Sequence, residues 1–258
     1  MFVSQTESTI FEKFVTSKNI IVLTGAGISA ESGLPTFRGE DGYWVKNGKN
    51  YHPMELATNR SFREDSETVW EWYHYRRNLY GKTEPNQGHY ALVELAKDLP
   101  ITLVTQNVDR LHQKAGYTKD IFEIHGNIFY MRCFNECTGE LVPIEDSQTG
   151  VPSCQKCGGL MRPHVLWMDE FYNEEYYKYT TVKELGRDTM DALLLVGTTL
   201  QTNLPRQLFE LAYYKQLPIL DINPHPIGLK QYGALELVGK SGEILPELVK
   251  KFSVGSLD

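Results

Sequence analysis

Six short apolar segments alternate with amphipathic stretches along the chain. Each segment is rich in leucine or β-branched residues, which is typical of strands that are buried on both faces of a sheet. Helical spacing of apolar residues lies between some of them, as at 88–97 and 205–216. Strands that alternate with helices predict an α/β fold, a Rossmann-like parallel sheet with helices on both faces. The six segments are 19–24, 101–105, 121–124, 192–196, 218–222 and 235–238.

Two stretches interrupt this alternation. Residues 39–80 begin irregularly and continue as a helical pattern, whereas residues 129–163 contain every cysteine of the chain and no long periodic run. We expect both to leave the sheet at its ligand-binding edge and to form a small second module. The predicted division is a discontinuous Rossmann-like domain over 1–38, 84–128 and 164–258, with a small domain made of a helical part, 39–83, and a zinc-binding part, 129–163.

The charge balance argues against one class of partner. The 258 residues include 26 Lys and Arg against 33 Asp and Glu, which gives a formal net charge of −7. A nucleic-acid-binding protein needs a basic face, whereas lysine-rich protein tails would be attracted. No apolar run approaches the roughly 20 residues of a membrane span, and no signal-peptide pattern is present. We expect a cytoplasmic monomer with neither a membrane nor a nucleic-acid partner.

The four cysteines form two close pairs, Cys133 with Cys137 and Cys154 with Cys157. In an intracellular chain, this spacing indicates one tetrahedral Zn²⁺ held by four thiolates. Two glycines follow the second pair and suit the tight turn of such a site. Because four protein ligands leave no open coordination position, the metal would be structural. Two disulfides or free thiols are the alternative.

The glycine-rich stretch after the first predicted strand indicates a nucleotide site. Residues 25–39 read GAGISAESGLPTFRG, and glycines at the end of a buried strand let the backbone approach phosphates closely. The spacing is not that of the dinucleotide fingerprint, because the third glycine comes too late and Gly33-Leu34-Pro35 would stop a helix after about one turn. We expect the loop to carry Phe37 and Arg38 over the ligand.

Polar residues follow the next two predicted strands. Gln106, Asn107 and Asp109 come after the second strand, and His125 comes after the third. Parallel strands present their carboxyl ends at one edge, so these side chains should line the same crevice. His125 is the candidate general base because an unperturbed imidazole titrates near neutral pH. The alternatives are a histidine capped by a backbone group and, for the asparagine and aspartate, helix capping.

Taken together, these motifs resemble the sirtuin family of NAD-dependent protein-lysine deacylases. The resemblance rests on GAGISAESGLPTFRG, on TQNVDRLHQKAG at 105–116, on the pair His125-Gly126 and on the four cysteines, and it extends from Asn19 to Leu248. It implies NAD as co-substrate, one structural Zn²⁺, acylated lysine in proteins or peptides as the partner, and release of nicotinamide and O-acyl-ADP-ribose. One departure is the three residues within the first cysteine pair, where the family usually has two.

The resemblance also implies roles for matching residues. His125 would be the general base that activates a ribose hydroxyl. Asn107 and Asp109 would hold the nicotinamide ribose and the wall of the nicotinamide pocket, with Gln106 on the same ribose. The other implied NAD contacts are Gly25, Ala26, Gly27, Ser29, Glu31, Thr36, Phe37, Arg38, Tyr43 and Trp44, then Gly197, Thr198 and Thr199 at a phosphate and ribose, Asn223 at the adenosine ribose and Ser241 at adenine.

The helical pattern over 66–80 bears on the acyl group. Tyr73 and Arg76 are three residues apart and share a helix face. A guanidinium binds a carboxylate through two parallel bonds, and a phenol adds another donor. The sequence WEWYHYRR at 70–77 resembles the segment by which desuccinylase-type sirtuins recognise acidic acyl groups, and Ala57 matches the small residue that widens their acyl pocket. Succinyl or malonyl lysine is therefore the predicted substrate, with acetyl lysine also accepted. The alternative is a surface helix that faces water.

The segment 166–170 departs from the family pattern. It reads LWMDE, whereas the family has Val-x-Phe-Gly-Glu beside the bound peptide. Asp169 therefore stands where a glycine is usual, which removes torsional freedom and adds a charge. The sequence leaves the peptide preference open.

Two other functions remain open from the sequence. One keeps the fold and the NAD chemistry but transfers ADP-ribose to a protein or hydrolyses NAD. The other is a non-enzymatic sensor of NAD or ADP-ribose, for which a damaged catalytic set would be expected. Gln106, Asn107, Asp109 and His125 are all present, which favours the deacylase over both.

Overall fold

The computed structural model describes residues 5–36, 44–46 and 49–254. Each of the six apolar segments forms one strand of a parallel sheet, so the predicted fold class is confirmed. The strands are β1 (Ile20–Thr24), β4 (Ile101–Thr105), β5 (Ile121–Glu123), β9 (Ala192–Val196), β10 (Ile219–Asn223) and β11 (Leu235–Val238). Across the sheet they lie in the order β11-β10-β9-β1-β4-β5.

Both faces of this sheet are covered by helices. Ile20 and Val22 of β1 pack into one apolar cluster, and Ile21 and Leu23 pack into the other, because successive side chains of a strand point to opposite faces. The first cluster includes residues of α1 (Gln5–Val15), α5 (Gln87–Asp98) and α10 (Ser241–Val254). The second includes residues of α8 (Tyr179–Glu184) and α9 (Asn203–Tyr214).

The strand order places a topological switch point beside β1. The chain continues from β1 to β4 and β5 on one side, and it returns to β9 on the other side. Ligands of open α/β sheets bind outside the carboxyl ends of the strands at such a point. Thr24 and Val196 are paired at the ends of β1 and β9. The glycine stretch and the loop that starts at Gly197 therefore begin side by side.

A smaller module lies beside the sheet. Its three-stranded antiparallel sheet extends past both ends of the predicted zinc-binding part, because its first strand begins at Gly126 and its last ends at Val165. The predicted helix over 66–80 is present, and Asp65 caps it by accepting the Thr68 N–H at 3.0 Å. The module contains β6 (Gly126–Cys133), β7 (Val142–Pro143), β8 (Met161–Val165), α3 (Asn59–Glu64) and α4 (Ser66–Lys82).

The remaining elements are short. They are β2 (Trp44–Lys46), β3 (Lys49–Tyr51), α2 (Pro53–Leu56), α6 (Leu111–Lys114), α7 (Glu174–Tyr177), the 3₁₀-helices Ala26–Ser32 and Leu229–Tyr232, and the π-helical turn Leu185–Thr189. Within the described part of the chain, no helix combines the length and the apolar character that crossing a membrane requires.

Candidate functional site

The glycine stretch packs tightly against the loop after β9. The Gly27 N–H donates to the Gly197 carbonyl oxygen at 2.9 Å. A Cβ atom at Gly25 would lie 2.7 Å from that same oxygen, which is closer than real Cβ atoms come to other atoms. The close approach of the two loops therefore requires small residues here, in addition to any contact with phosphate. Gly33 ends the 3₁₀-helix with φ of 84°, so the helix stops where the sequence predicts. Its seven residues make more than two turns, so the predicted length of about one turn is wrong.

Three of the predicted NAD contacts form one buried hydrogen-bonded group. Ser29 Oγ donates to an Asp109 carboxylate oxygen at 2.7 Å, and the Asn107 amide donates to Ser29 Oγ at 3.2 Å. The other Asp109 oxygen accepts the Leu111 N–H at 2.9 Å, although the N-cap residue of α6 is Arg110 and not Asp109. Asp109 therefore fixes the start of α6 and the glycine stretch together. Burial raises the pKa of Asp109, while the bonds from Leu111 and Ser29 act in the opposite direction.

A second group joins the ends of β1, β4, β9 and β10. The Gln106 amide nitrogen donates to Thr198 Oγ1 at 2.7 Å and to the Thr24 carbonyl oxygen at 3.3 Å. The Asn223 amide donates to the Thr198 carbonyl oxygen at 3.2 Å. Residues that are up to 199 positions apart in the sequence thus meet at one edge of the sheet, as the sequence predicts.

The start of α10 also meets the glycine stretch. The Glu31 carboxylate accepts the Ser241 hydroxyl at 3.1 Å and the Gly242 N–H at 2.7 Å. Ala26 begins the 3₁₀-helix of the glycine stretch, and Thr36 follows that helix. Thr199 is exposed in the loop after β9. Phe37, Arg38 and Tyr43 lie outside the described residues, as does the side chain of Trp44.

His125 lies between the end of β5 and the start of β6. Its carbonyl oxygen accepts the Leu166 N–H at 2.9 Å, and its Nε2 lies 2.7 Å from the Tyr172 hydroxyl. The imidazole is therefore held by a side chain 47 residues farther along the chain. Sequence reasoning missed Tyr172, because it is one of 15 tyrosines and stands in no motif.

Two buried histidines lie behind this edge of the sheet. His112 Nε2 is 2.9 Å from Thr24 Oγ1, His89 Nε2 is 3.4 Å from Ser29 Oγ, and the two ring centroids are 5.1 Å apart. Burial lowers the pKa of His89 to about 4. Burial, with the neighbouring His89, lowers the pKa of His112 to about 3. Both rings are neutral at physiological pH.

These two rings should make the fold sensitive to acid. The unfolded chain takes up protons below about pH 6.5, whereas the folded chain does so only near pH 3 to 4. The stabilising effect is complete above pH 6.5 and is lost as pH falls, by up to about 1.4 kcal/mol per pH unit for each histidine. The buried Asp221, whose pKa burial raises to about 7, has the opposite pH dependence, and the buried His164, whose pKa is lowered to about 3, adds to that of the two rings. Denaturant titration from pH 7 to 4 therefore measures the contribution of a single ring as the difference between a variant and the wild type. His112→Asn should flatten the slope by about one proton, and His225→Asn, at an exposed position, should leave it unchanged.

The predicted acyl-binding residues lie in a third apolar cluster. Ala57 and Tyr73 are both almost fully buried there, together with Trp167. The Trp167 indole N–H donates to the Tyr73 hydroxyl at 3.0 Å, and the Met168 N–H donates to the Ala57 carbonyl oxygen at 2.9 Å. Tyr73 thus faces the protein interior, in contrast to the water-facing helix that the sequence left open. Burial raises the pKa of Tyr73, so its phenol stays protonated.

Arg76 is held on the same helix by aromatic neighbours. Its guanidinium carbon lies 4.9 Å from the Trp72 ring centroid and 5.1 Å from that of Tyr80. Two of its nitrogens, Nε and Nη2, donate to the Tyr80 hydroxyl, the first at 2.9 Å. The guanidinium is half-buried. Its positive charge is close enough to Asp109 to lower the pKa of that carboxyl, although the burial of Asp109 raises the same pKa by more. The positive charge therefore lies beside two aromatic rings of the third apolar cluster and near the predicted NAD contact Asp109.

Asp169 has a structural partner in this chain. Its two carboxylate oxygens accept the backbone N–H groups of Asn59 at 2.7 Å and Arg60 at 3.1 Å, at the start of α3. An acidic group at a helix N-terminus is stabilising. The residue that departs from the family pattern thus fixes the segment 166–170 against α3.

The four cysteine sulfur atoms lie within 4.8 Å of one another. The Cys133 Sγ is 3.4 Å from Cys137 Sγ and 3.5 Å from Cys157 Sγ, and Cys137 Sγ is 3.5 Å from Cys154 Sγ. These separations exceed a disulfide bond of about 2.0 Å. They approach the roughly 3.8 Å expected between thiolates around tetrahedral Zn²⁺ with a Zn–S distance of ~2.3 Å. The geometry fits a structural zinc site.

The extra residue between the first two cysteines is accommodated by the backbone. Glu136 takes a left-handed conformation with φ of 51°, and its N–H donates to the Cys133 carbonyl oxygen at 3.1 Å. Its carboxylate pairs with the buried Arg132 at 2.7 Å. A non-glycine residue in this conformation carries a steric cost, which this ion pair helps to offset.

We expect one zinc ion per chain at this site. Chelation should lower the melting temperature markedly, because loss of the metal removes the link between two short turns. Cys154→Ser should reduce both the bound zinc and the melting temperature, as measured by elemental analysis and calorimetry. Absence of stoichiometric metal in the purified protein, or a disulfide within either pair, would contradict this.

Residues 25–203 match the sequence model of the Sir2 family. Two similar curated proteins are both named NAD-dependent protein deacylase. The protein from Leptospira interrogans is 41% identical over 236 residues, which cover 91% of this chain and 93% of that protein. The protein from Pyrococcus abyssi is 40% identical over 247 residues, which cover 90% and 92% respectively.

Solved structures give the same picture. A mutant Sir2 homologue in complex with 2'-O-acetyl ADP ribose is 33% identical, has a TM-score of 0.86 and matches 100% of this chain and 99% of its own. A Sir2 homologue in complex with NAD is 33% identical, has a TM-score of 0.84 and matches 96% and 94%. The similarity therefore includes both the parallel sheet and the cysteine-containing module.

Proposed function

The chain belongs to the Sir2 family, and on that premise we propose that it is an NAD-dependent protein-lysine deacylase that prefers succinyl and malonyl groups and also removes acetyl groups. The products would be nicotinamide and O-acyl-ADP-ribose. The observation that carries the acyl preference is the burial of Tyr73 and Ala57 in one apolar cluster, with the Arg76 guanidinium over two aromatic rings of the same cluster. The partner would be an acylated lysine in a protein or peptide.

The residues at the sheet edge have matching tasks in this reaction. NAD, when bound, supplies the ribose that receives the acyl group. Asn107, Ser29 and Asp109 already form one hydrogen-bonded group, and they would hold the nicotinamide ribose and carboxamide. Thr198 and Asn223 would hold the adenosine side. His125 would accept a proton from a ribose hydroxyl, which requires it to be neutral.

The acyl preference follows from the hydrogen-bonding capacity of the pocket. The Tyr73 hydroxyl uses a lone pair to accept the Trp167 N–H, so its own proton can point to an acyl carboxylate. Arg76 is held between two aromatic rings, which reduces the conformational entropy lost when it binds an anion. A half-buried guanidinium is an unfavourable neighbour for a neutral apolar acyl group and a favourable one for a carboxylate. Both features support an acidic acyl substrate.

One assay distinguishes this function from the alternatives. The protein is incubated with NAD and with peptides that carry acetyl, malonyl, succinyl or glutaryl lysine, and the products are measured by mass spectrometry. Equal amounts of nicotinamide and deacylated peptide, formed fastest from an acidic acyl peptide, would support the proposal. Nicotinamide with ADP-ribose attached to protein would indicate a transferase, nicotinamide with free ADP-ribose and no deacylation would indicate a hydrolase, and binding without turnover would indicate a sensor.

A further inference from the structure

Tyr172 contacts the candidate general base directly. Its hydroxyl lies 2.7 Å from His125 Nε2, with the two ring centroids 5.8 Å apart. The Tyr172 ring is stacked on the Tyr179 ring at 5.9 Å and 18°. The phenol is therefore fixed by aromatic packing on one side and by the imidazole on the other.

The neighbouring residue Thr202 links this region to a predicted NAD contact. Thr202 occupies the N-cap position of α9, where a threonine usually binds a helix N–H, but it makes no such bond here. Its hydroxyl donates to Gln106 Oε1 at 3.0 Å, and its side chain also interacts with Tyr172. Thr202 therefore lies next to Tyr172 and binds Gln106.

The positions of the protons on these side chains follow from a count of donors. The Thr24 carbonyl can only accept, so the Gln106 amide nitrogen must face it, and Gln106 Oε1 must face Thr202. Thr202 has one proton, which Oε1 receives. Tyr172 therefore keeps its own proton for either Thr202 Oγ1 or His125 Nε2. The imidazole nitrogen is the stronger base, and burial raises the pKa of Tyr172, so that the phenol remains a donor at neutral pH.

We propose that Tyr172 is a positioning residue for His125, whose Nε2 it holds unprotonated by donating its phenolic hydrogen. This rests on the proposed function, in which His125 is the general base. The imidazole then carries its single proton on Nδ1 and presents a basic nitrogen in a fixed orientation. The Nε2 lone pair accepts only one hydrogen at a time, so a ribose hydroxyl must take the place of the phenolic hydrogen before it gives its proton to Nε2. The phenol then turns its own hydrogen to Thr202 Oγ1.

Tyr172→Phe tests this role because it keeps the ring and removes only the hydroxyl. We expect kcat to fall by about ten- to a hundredfold, which is more than the loss of one hydrogen bond usually causes and less than the loss of a general base causes. The KM for NAD should stay within about twofold of the wild-type value. The fall should be equal for succinyl and acetyl peptides. Tyr179→Phe is the matched control, because that hydroxyl bonds Gln207 at 3.3 Å and does not contact His125.

A second readout does not depend on activity. The ¹⁵N NMR shifts of the His125 ring should show the proton on Nδ1 in the wild type and in Tyr179→Phe, and a shift of the proton toward Nε2 in Tyr172→Phe. An unchanged ring tautomer in Tyr172→Phe, or a change confined to KM, would overturn the proposal. If the wild type shows no NAD-dependent deacylation but the tautomer still responds to Tyr172→Phe, the proposed function fails and the positioning of His125 by Tyr172 stands.

Discussion

His125→Ala should abolish deacylation while the protein still binds NAD and the acyl peptide. The proposed role of the imidazole is to accept a proton from a ribose hydroxyl. Loss of a general base typically lowers the rate by about 10²–10⁴-fold. The side chain contacts Tyr172 and belongs neither to a strand of the sheet nor to the cysteine cluster, so its removal should leave the sheet and the zinc module folded. Turnover is measured with a succinyl peptide, and binding is measured by calorimetry.

The matching control is His225→Ala, which removes an exposed histidine in the loop after β10. It should keep wild-type turnover. Near-normal activity of His125→Ala would exclude the general-base role. Loss of NAD binding in that variant would show that the imidazole contributes to the cofactor site and not to proton transfer alone.

The sheet could be predicted from the sequence because its strands are buried on both faces. A strand such as β1, in which every residue is buried, needs an uninterrupted apolar run, and such runs are rare elsewhere in the chain. Residues at or just after the ends of these strands, such as Asn107, Thr198 and Asn223, could be predicted to lie at one edge of the sheet, because parallel strands end at the same edge. The apolar pattern of the strands and their parallel direction together predict where these residues lie.

Contacts made by the longer loops could not be predicted in the same way. Tyr172 follows the segment 166–170, in which Asp169 binds the start of α3 and Glu170 pairs with Arg162. No periodic pattern encodes such contacts. Thr202 illustrates the difficulty, because it occupies the N-cap position of α9 and yet its hydroxyl binds Gln106 and not a helix N–H.

The glycines show a different limit. Their sequence position predicts a close approach of the backbone to phosphate, and the structure shows a close approach of two protein loops at Gly25 and Gly197. A glycine at such a position indicates only that there is no room for a side chain. The neighbour that fills the space is determined by the tertiary fold, here by the pairing of β1 with β9.

Arg76→Met should lower turnover of succinyl lysine by well over tenfold and leave acetyl lysine nearly unaffected. Removing one partner of a buried charge pair costs about 2–5 kcal/mol, much of it from the partner that is left unpaired. A succinyl carboxylate would be that unpaired partner, whereas an acetyl group has no charge to leave behind. Methionine keeps most of the apolar stem that packs on Trp72 and Tyr80. The measurement is kcat/KM for both peptides at saturating NAD.

Tyr73→Phe should shift the acyl preference in the same direction but less, since only one neutral donor is lost and the Trp167 N–H loses its acceptor at the same time. Arg60→Met removes an exposed arginine of α3, with 81% of its side chain accessible, and should change neither substrate. If Arg76 and Tyr73 served only to pack α4, both variants would lower stability and affect every acyl group equally. An Arg76→Met variant with unchanged acyl preference, or a wild type that ignores succinyl lysine, would therefore assign this helix to packing and leave acetyl lysine as the substrate.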